Sequence, residues 1–295
     1  MSIRPNAAIV YKPLSNTSYI ITDPLAADYA QRVLDGEGYS LTNTEAEAID
    51  NFCKRIKGLD ASFANFGDNT IYQKALGFQI APMLGNTLGT KKYNLMPAIQ
   101  GVDLYLTFFG GCTANYDGVT TNGVNGYISS NIIADNYSDL NSTSVCVGNV
   151  LRDSSTRWDF GTYGTTAGQD GGTWRRMGTG ISSYGRSWSL DNAVGGGGND
   201  NNAGHTWINL FTTASQGENY HNSTLESINT AYPRPTSAAP YTLPYGGVNV
   251  NGNTFAQASN TMMFCHYIAG LPAASIAPFN SIVDNYMIEL SKKTY

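Results

Sequence analysis

The spacing of apolar residues changes character near residue 100. Before it the period is helical: Ile49, Phe52, Cys53, Ile56 and Leu59 fall on one face and Asp50, Lys54, Arg55 and Lys57 on the other, predicting a helix that ends near Gly58. Thr44-Glu45-Ala46-Glu47 reads as its capping box, with the Thr44 hydroxyl accepting from the Glu47 amide and the Glu47 carboxylate reaching back. Asp28–Leu34, closed by Gly36, predicts a shorter helix upstream, and Asn69–Leu76 a third before a turn-rich stretch from Pro82 to Gly89. From Gly101 the period is two. Val102, Leu104, Leu106 and Phe108 alternate onto one face of a core strand, which breaks at Gly110-Gly111, crosses a polar loop and resumes past Asn122-Gly123-Val124-Asn125-Gly126 with Tyr127 and Ile128.

Short strand-like pieces then follow one another, at Gly126–Ile133, Ser144–Val150, Arg157–Tyr163, Arg186–Leu190, Thr206–Thr212, Ser227–Ala231, Gly247–Val250 and Thr261–Tyr267, separated by Gly, Asn, Asp and Ser turns. Regular punctuation of this kind predicts a two-sheet antiparallel sandwich or barrel. The chain closes with a helix from Pro278 to Lys292 whose stripe of Phe279, Ile282, Val283, Tyr286, Met287 and Leu290 would pack as a lid on the sandwich or on the N-terminal helices. The proline-punctuated first 25 residues have little core of their own and read either as an anchoring arm laid against a partner or as a frayed terminus. The resulting division is an anchoring arm with a short helix over 1–43, a helical lead-in over 44–90, and a β-sandwich closed by the final helix over 91–295.

Composition agrees with a mainly β body. Only 13% of the 295 residues are charged and 32 are glycine, which suits many tight turns. A net charge of −5 with no lysine or arginine cluster beyond pairs gives no footprint for nucleic acid. No apolar run approaches the roughly 20 residues of a membrane span, and MSIRPNAAIVYKP lacks a signal-peptide layout, so synthesis in a cytoplasm without a secretory address is expected. Cys53, Cys112, Cys146 and Cys265 are far apart and read as buried free thiols, and His205, His221 and His266 fit no metal motif.

One region concentrates binding chemistry. Trp158, Trp174, Trp188 and Trp207 stand close in sequence to Tyr163, Tyr184, Arg175, Arg176, Arg186 and His205. Aromatic faces cover the apolar side of a pyranose while amide, carboxylate and guanidinium groups take its hydroxyls. Trp158, Trp188 and Trp207 sit in strand-like contexts and read as core or inter-sheet residues; Trp174 stands among loop signals beside two arginines, where surface binding and structure are both open. The glycan-binding set is Trp174, Arg175, Arg176, Tyr184, Asn199, Asp200 and His205. Gly195 to Asn202 reads as a metal-free hairpin tip; the alternative is a Ca²⁺ site using oxygens of Asn199, Asp200 and Asn202, with no other cofactor expected. No paired-acid strand, GxSxG or phosphate loop is present, and Asp153 with Asp159, or Glu218 with Glu226, would meet only through folding, so no enzyme activity is expected.

Lys91-Lys92-Tyr93-Asn94-Leu95, then LYLTFFGG, then NGVNGYISSNI resemble the HKYNLKDP-like, FRLTFSGGWTHS-like and LPNGTNGYADT-like segments of a module in tailed-bacteriophage virion proteins, related to LamG and concanavalin A-like jelly rolls. The resemblance extends to Gly246–Gly252, Met263–Leu271 and the final helix, and so spans roughly 44–295. It departs at Cys112-Thr113-Ala114-Asn115, where relatives carry aromatic and His residues, so no ligand role is transferred there. The resemblance implies an antiparallel jelly-roll and a non-enzymatic virion protein (head fibre, capsid decoration or tail fibre) fastened to other virion proteins by its arm. Such a protein would display a lectin-like surface to host glycans or, alternatively, cement neighbouring subunits; a polysaccharide depolymerase is the third reading. Homo-oligomerisation would come from the arm, the helices or the sandwich faces, because no heptad repeat is present.

Overall fold

The computed structural model describes residues 19–59, 79–96, 104–133, 143–151, 157–160, 162–163, 173–177, 183–187, 193–196, 204–210, 217–221, 224–229, 242–250, 252–256, 259–269 and 273–291. The first 18 residues of the arm, the helix expected at Asn69–Leu76, and Trp188 lie outside them.

Helix α1 (Pro24–Glu37) starts earlier and ends later than its apolar spacing predicts. Asp23 caps it, its Oδ1 accepting from the amides of Leu25 and Ala26 at 2.9 and 3.4 Å, and Pro24 occupies a first-turn position where its missing N–H costs nothing. Gly36 lies inside the helix; the stop is Gly38, whose φ of 65° lets its N–H return to the Leu34 carbonyl at 2.8 Å. Helix α2 (Asn43–Leu59) is capped two residues before the expected box. Glu45 Oε2 accepts from the Thr42 amide and hydroxyl, both at 2.9 Å, and the Glu45 amide donates to Thr42 Oγ1 at 3.3 Å. Thr42–Glu45 and Thr44–Glu47 both satisfy the spacing. Tertiary contacts select the former, because Glu45 Oε1 also takes the Gly85 amide at 2.7 Å and Oε2 the Tyr39 hydroxyl at 2.9 Å.

Asp50, on the expected polar face of α2, is buried. Its carboxylate accepts from the amides of Thr22 and Asp23 at 3.1 and 2.7 Å, from the Tyr19 hydroxyl at 2.8 Å and from Lys54 Nζ at 2.7 Å. Burial pushes its pKa up, but these hydrogen bonds outweigh burial and hold the carboxyl below its usual range. Residues 19–23 are thereby pinned along α2.

The body is mainly β. One sheet of eight strands among the described residues runs β14 (Thr224–Asn229), β13 (Gly217–His221), β12 (Gly204–Leu210), β6 (Thr143–Leu151), β18 (Thr261–Ala269), β4 (Gly118–Thr120) and β3 (Thr113–Asn115), with β1 (Gln79–Ala81) also paired to β18. A seven-stranded sheet runs β11 (Ala193–Gly196), β10 (Ser183–Ser187), β9 (Thr173–Met177), β7 (Arg157–Phe160), β15 (Thr242–Tyr245), β5 (Tyr127–Ile133) and β2 (Thr107–Phe109). The pairings in both are antiparallel. A small third sheet joins β17 (Asn253–Ala256), β16 (Gly247–Val250) and β8 (Thr162–Tyr163), the last pair parallel. Among the described residues no helix is long and apolar enough to cross a membrane.

The stretch from Gly101 to Ser130 supplies strands to both sheets. Leu104 and Leu106 are buried as their alternation predicts, but regular pairing begins only at Thr107. The expected polar loop is instead the β3–β4 hairpin, which pairs with β18 in the opposite sheet. Its register depends on Gly118: at φ 140° its backbone lies so close to the Met262 carbonyl that a Cβ would collide with it.

Between the sheets, Ala81, Val119, Met262 and Cys265 meet Ile128, Ile132, Leu243 and Tyr245. Gln79 crosses this core, donating to the carbonyls of Leu104 and Ser130 at 2.8 and 2.9 Å and accepting from the Tyr245 hydroxyl at 3.2 Å. Register shifts around Met262 turn both Met263 and Phe264 to the other face of β18, against the helices. There Phe52 of α2 meets Phe264, Phe279 and Tyr286 with ring centroids 5.7, 6.4 and 5.1 Å away.

Phe279 and Tyr286 belong to α3 of the C-terminal region, the helix Ala273–Ser291, which packs on α2 as the apolar stripe predicts. It begins five residues before Pro278, so that proline sits inside the helix rather than at its start. Arg55 pairs with Glu289 at 2.6 Å, and the Tyr286 hydroxyl donates to the Pro82 carbonyl at 2.8 Å. Cys53 and Cys265 are buried free thiols, and burial pushes both well up in pKa; Cys112 is only half-buried.

Candidate functional site

The arginine- and tryptophan-rich segment forms a hairpin in the seven-stranded sheet. Strands β9 and β10 pair with Trp174 opposite Arg186, Arg175 opposite Gly185 and Arg176 opposite Tyr184. On its other edge β9 meets β7, which places Trp158 opposite Arg176. Because alternate residues of a strand share a face, Trp174, Arg176, Tyr184 and Arg186 occupy positions of one face and Arg175 a position of the other. Trp174, expected in a loop, is a strand residue: its glycine neighbours flank the strand rather than prevent it.

Register therefore joins three of the expected binding residues, Trp174, Arg176 and Tyr184, and adds Trp158 and Arg186. His205 is the second residue of β12 in the other sheet, opposite Gly148 of β6. Asn199 and Asp200 lie outside the described residues, as does most of the glycine-rich loop, whose Gly195 and Gly196 end β11.

A second site is a cleft where the helices meet the sandwich. It has a volume of about 380 Å³ and is walled by Thr42, Thr44 and Glu45 from the start of α2, Met83 to Gly85, Tyr116 and Asp117 from the tip of the β3–β4 hairpin, and Met263 with Leu290. The wall at Met83–Gly85 is tightly held. Met83 and Gly85 have φ of 49° and 82°, the Gly85 amide is bound by Glu45, and the Met83 carbonyl accepts from Lys91 Nζ at 2.7 Å. Lys91 ends a short helix over Leu88–Lys91 and is fully buried; burial pulls its ammonium down to about 8, against the opposing pull of Glu45 and Asp117. Tyr116 is 66% exposed, and its hydroxyl accepts from Asn86 Nδ2 at 3.3 Å. No sequence motif marks this cleft, because its walls come from segments more than 200 residues apart, from Thr42 to Leu290. The visible trace was Thr42-x-x-Glu45, whose acid serves both the cap and the cleft wall.

No family model and no curated protein matches the chain. Among solved structures, the CBM40 of Ruminococcus gnavus IT-sialidase is 9% identical over 47% of this chain and 82% of its own, with a TM-score of 0.38. A Trypanosoma rangeli sialidase mutant displaying trans-sialidase activity is 12% identical over 83% of this chain and 39% of its own, with a TM-score of 0.48. Domain 4 of AbnA, a GH43 extracellular arabinanase from Geobacillus stearothermophilus in complex with arabinotriose, is 13% identical over 68% of this chain and 98% of its own, with a TM-score of 0.39. Likenesses of this size assign the chain to no family, and none of these names carries the phage-virion resemblance of the sequence.

Proposed function

We propose that the chain is a non-enzymatic structural protein of a tailed-bacteriophage virion, in which residues 1–43 and the helices fasten a LamG or concanavalin A-like jelly-roll to neighbouring virion proteins and the sandwich adheres to host-surface glycans. The observation that carries the adhesion reading is the cross-strand array of Trp158, Arg176 and Tyr184 beside Trp174 and Arg186. Aromatic rings and guanidinium groups at adjacent register positions suit a pyranose that offers an apolar face and polar substituents. Each contact of this kind is weak, and copy number on a particle multiplies it.

A glycan array probed with the multimerised protein tests this reading. Binding is expected, with Trp174→Ala and Arg176→Ala each weakening the binding of acidic glycans about tenfold, a loss of ~1.4 kcal/mol; an array without signal overturns adhesion. Incubation with host polysaccharide is expected to release no reducing ends, and release would make the protein a depolymerase. The architectural reading, in which the sandwich cements neighbouring subunits, is favoured by Phe109, Tyr116 and Val124, which are 41, 66 and 79% exposed within one stretch. Burial of that stretch against a neighbour in intact particles would select it.

A further inference from the structure

The cleft at the helix–sandwich junction has chemistry distinct from that of the arginine-bearing hairpin. Its rim carries an exposed aromatic ring, Tyr116, beside the Asp117 carboxylate, with the Thr44 hydroxyl lining the same cleft. Neither Asp117 nor Thr44 has a side-chain hydrogen bond to another described residue, so both groups are available to a ligand. Glu45, by contrast, has both carboxylate oxygens occupied and contributes charge rather than free acceptors. Met83, Met263 and Leu290 give apolar walls. The volume falls within the roughly 300–1,000 Å³ of small-ligand sites. The fixed Met83–Gly85 wall and the Asn86 contact to Tyr116 mean that little has to be ordered on binding.

We propose that this cleft binds a neutral saccharide residue, with the Tyr116 ring against the apolar sugar face and Asp117 and Thr44 taking hydroxyl groups. Two acids on one cleft, Glu45 and Asp117, oppose entry of a carboxylate-bearing sugar, and Lys91, which lies within their field, offsets that charge only in part. The arginine array on β9 and β10 has the opposite preference. The inference rests on the glycan-binding reading but adds a second site with its own selectivity.

Saturation-transfer NMR on the full chain tests it, using neutral trisaccharides of glucose, galactose, mannose and N-acetylglucosamine and one acidic trisaccharide ending in sialic acid. At least one neutral trisaccharide is expected to bind. Tyr116→Ala should abolish that binding, Tyr116→Phe should keep it, and Asp117→Asn should weaken it about tenfold, as expected for losing a charge-assisted hydrogen bond. Thermal melting should be unchanged in all three, since the residues sit at an exposed hairpin tip. Trp174→Ala should leave the neutral ligand bound. Absence of neutral binding, or neutral binding indifferent to Tyr116→Ala, overturns the inference. Loss with Trp174→Ala alone overturns the cleft while sustaining the hairpin; loss of acidic binding alone with Trp174→Ala, together with neutral binding that needs Tyr116, sustains both sites.

Discussion

Lys91 shows how a single side chain can be held against its own solvation. Its ammonium is buried with the Met83 carbonyl as acceptor, and its pKa falls from 10.5 to about 8. Between those two values the unfolded chain holds a proton that the folded chain has released, so this residue makes stability rise with pH. The partly buried Tyr19 and Tyr39 and the buried Cys53 act in the opposite direction, since their raised pKa values favour unfolding once they ionise in the open chain. Those contributions cancel when wild type is compared with Lys91→Met. In urea titrations the stability of wild type relative to that variant should climb by about 3 kcal/mol between pH 8 and pH 10.5. A flat difference would mean that the ammonium is solvated. Nothing in the pattern around Lys91-Lys92 distinguishes the buried lysine from its neighbour, which reaches Glu37 at the surface. Asp50 was equally hidden: helical spacing placed it outward, and the return of residues 19–23 brings backbone amides onto its carboxylate.

At the scale of elements, the legible features were those written in local periodicity. The α2 face and the C-terminal stripe pack where their spacing directs them, whereas the register shifts at Met262 set which residues of β18 face the helices. Strands of three residues, such as β3 and β4, left no periodic trace, and their assignment to the sheet opposite β2 is decided by partners more than 100 residues away in β18. The helix start at Ala273 was missed for a related reason: Pro278 reads as a boundary, yet a helix tolerates it when packing against α2 compensates for the lost hydrogen bond. The candidate site was half legible. Composition located Trp174, Arg176 and Tyr184, but register alone shows that Trp158 and Arg186 join them. Phe52 of α2 touches aromatic rings of both β18 and the C-terminal helix. Phe52→Ala should therefore cost about 3–5 kcal/mol in chemical denaturation, a full aromatic cavity. A loss below 1 kcal/mol would show that the three elements do not depend on this contact.

For the whole molecule, β18 is the shared wall, buried by the sandwich on one face and by helices on the other. The helices report at 222 nm, whereas Trp158, Trp174 and Trp207 report from β7, β9 and β12 by fluorescence. The two signals should fall together in a single denaturant transition with a common midpoint; separate midpoints would make the helical layer an independent unit. The same wall sets the order of events during synthesis. The apolar face of α2 emerges about 200 residues before Phe264, Phe279 and Tyr286. At roughly 5–20 residues per second the ribosome leaves that face without its native cover for ~10–40 s. Until then α1 alone covers part of it, and a stalled ribosome would strand the chain with the rest of that apolar face open.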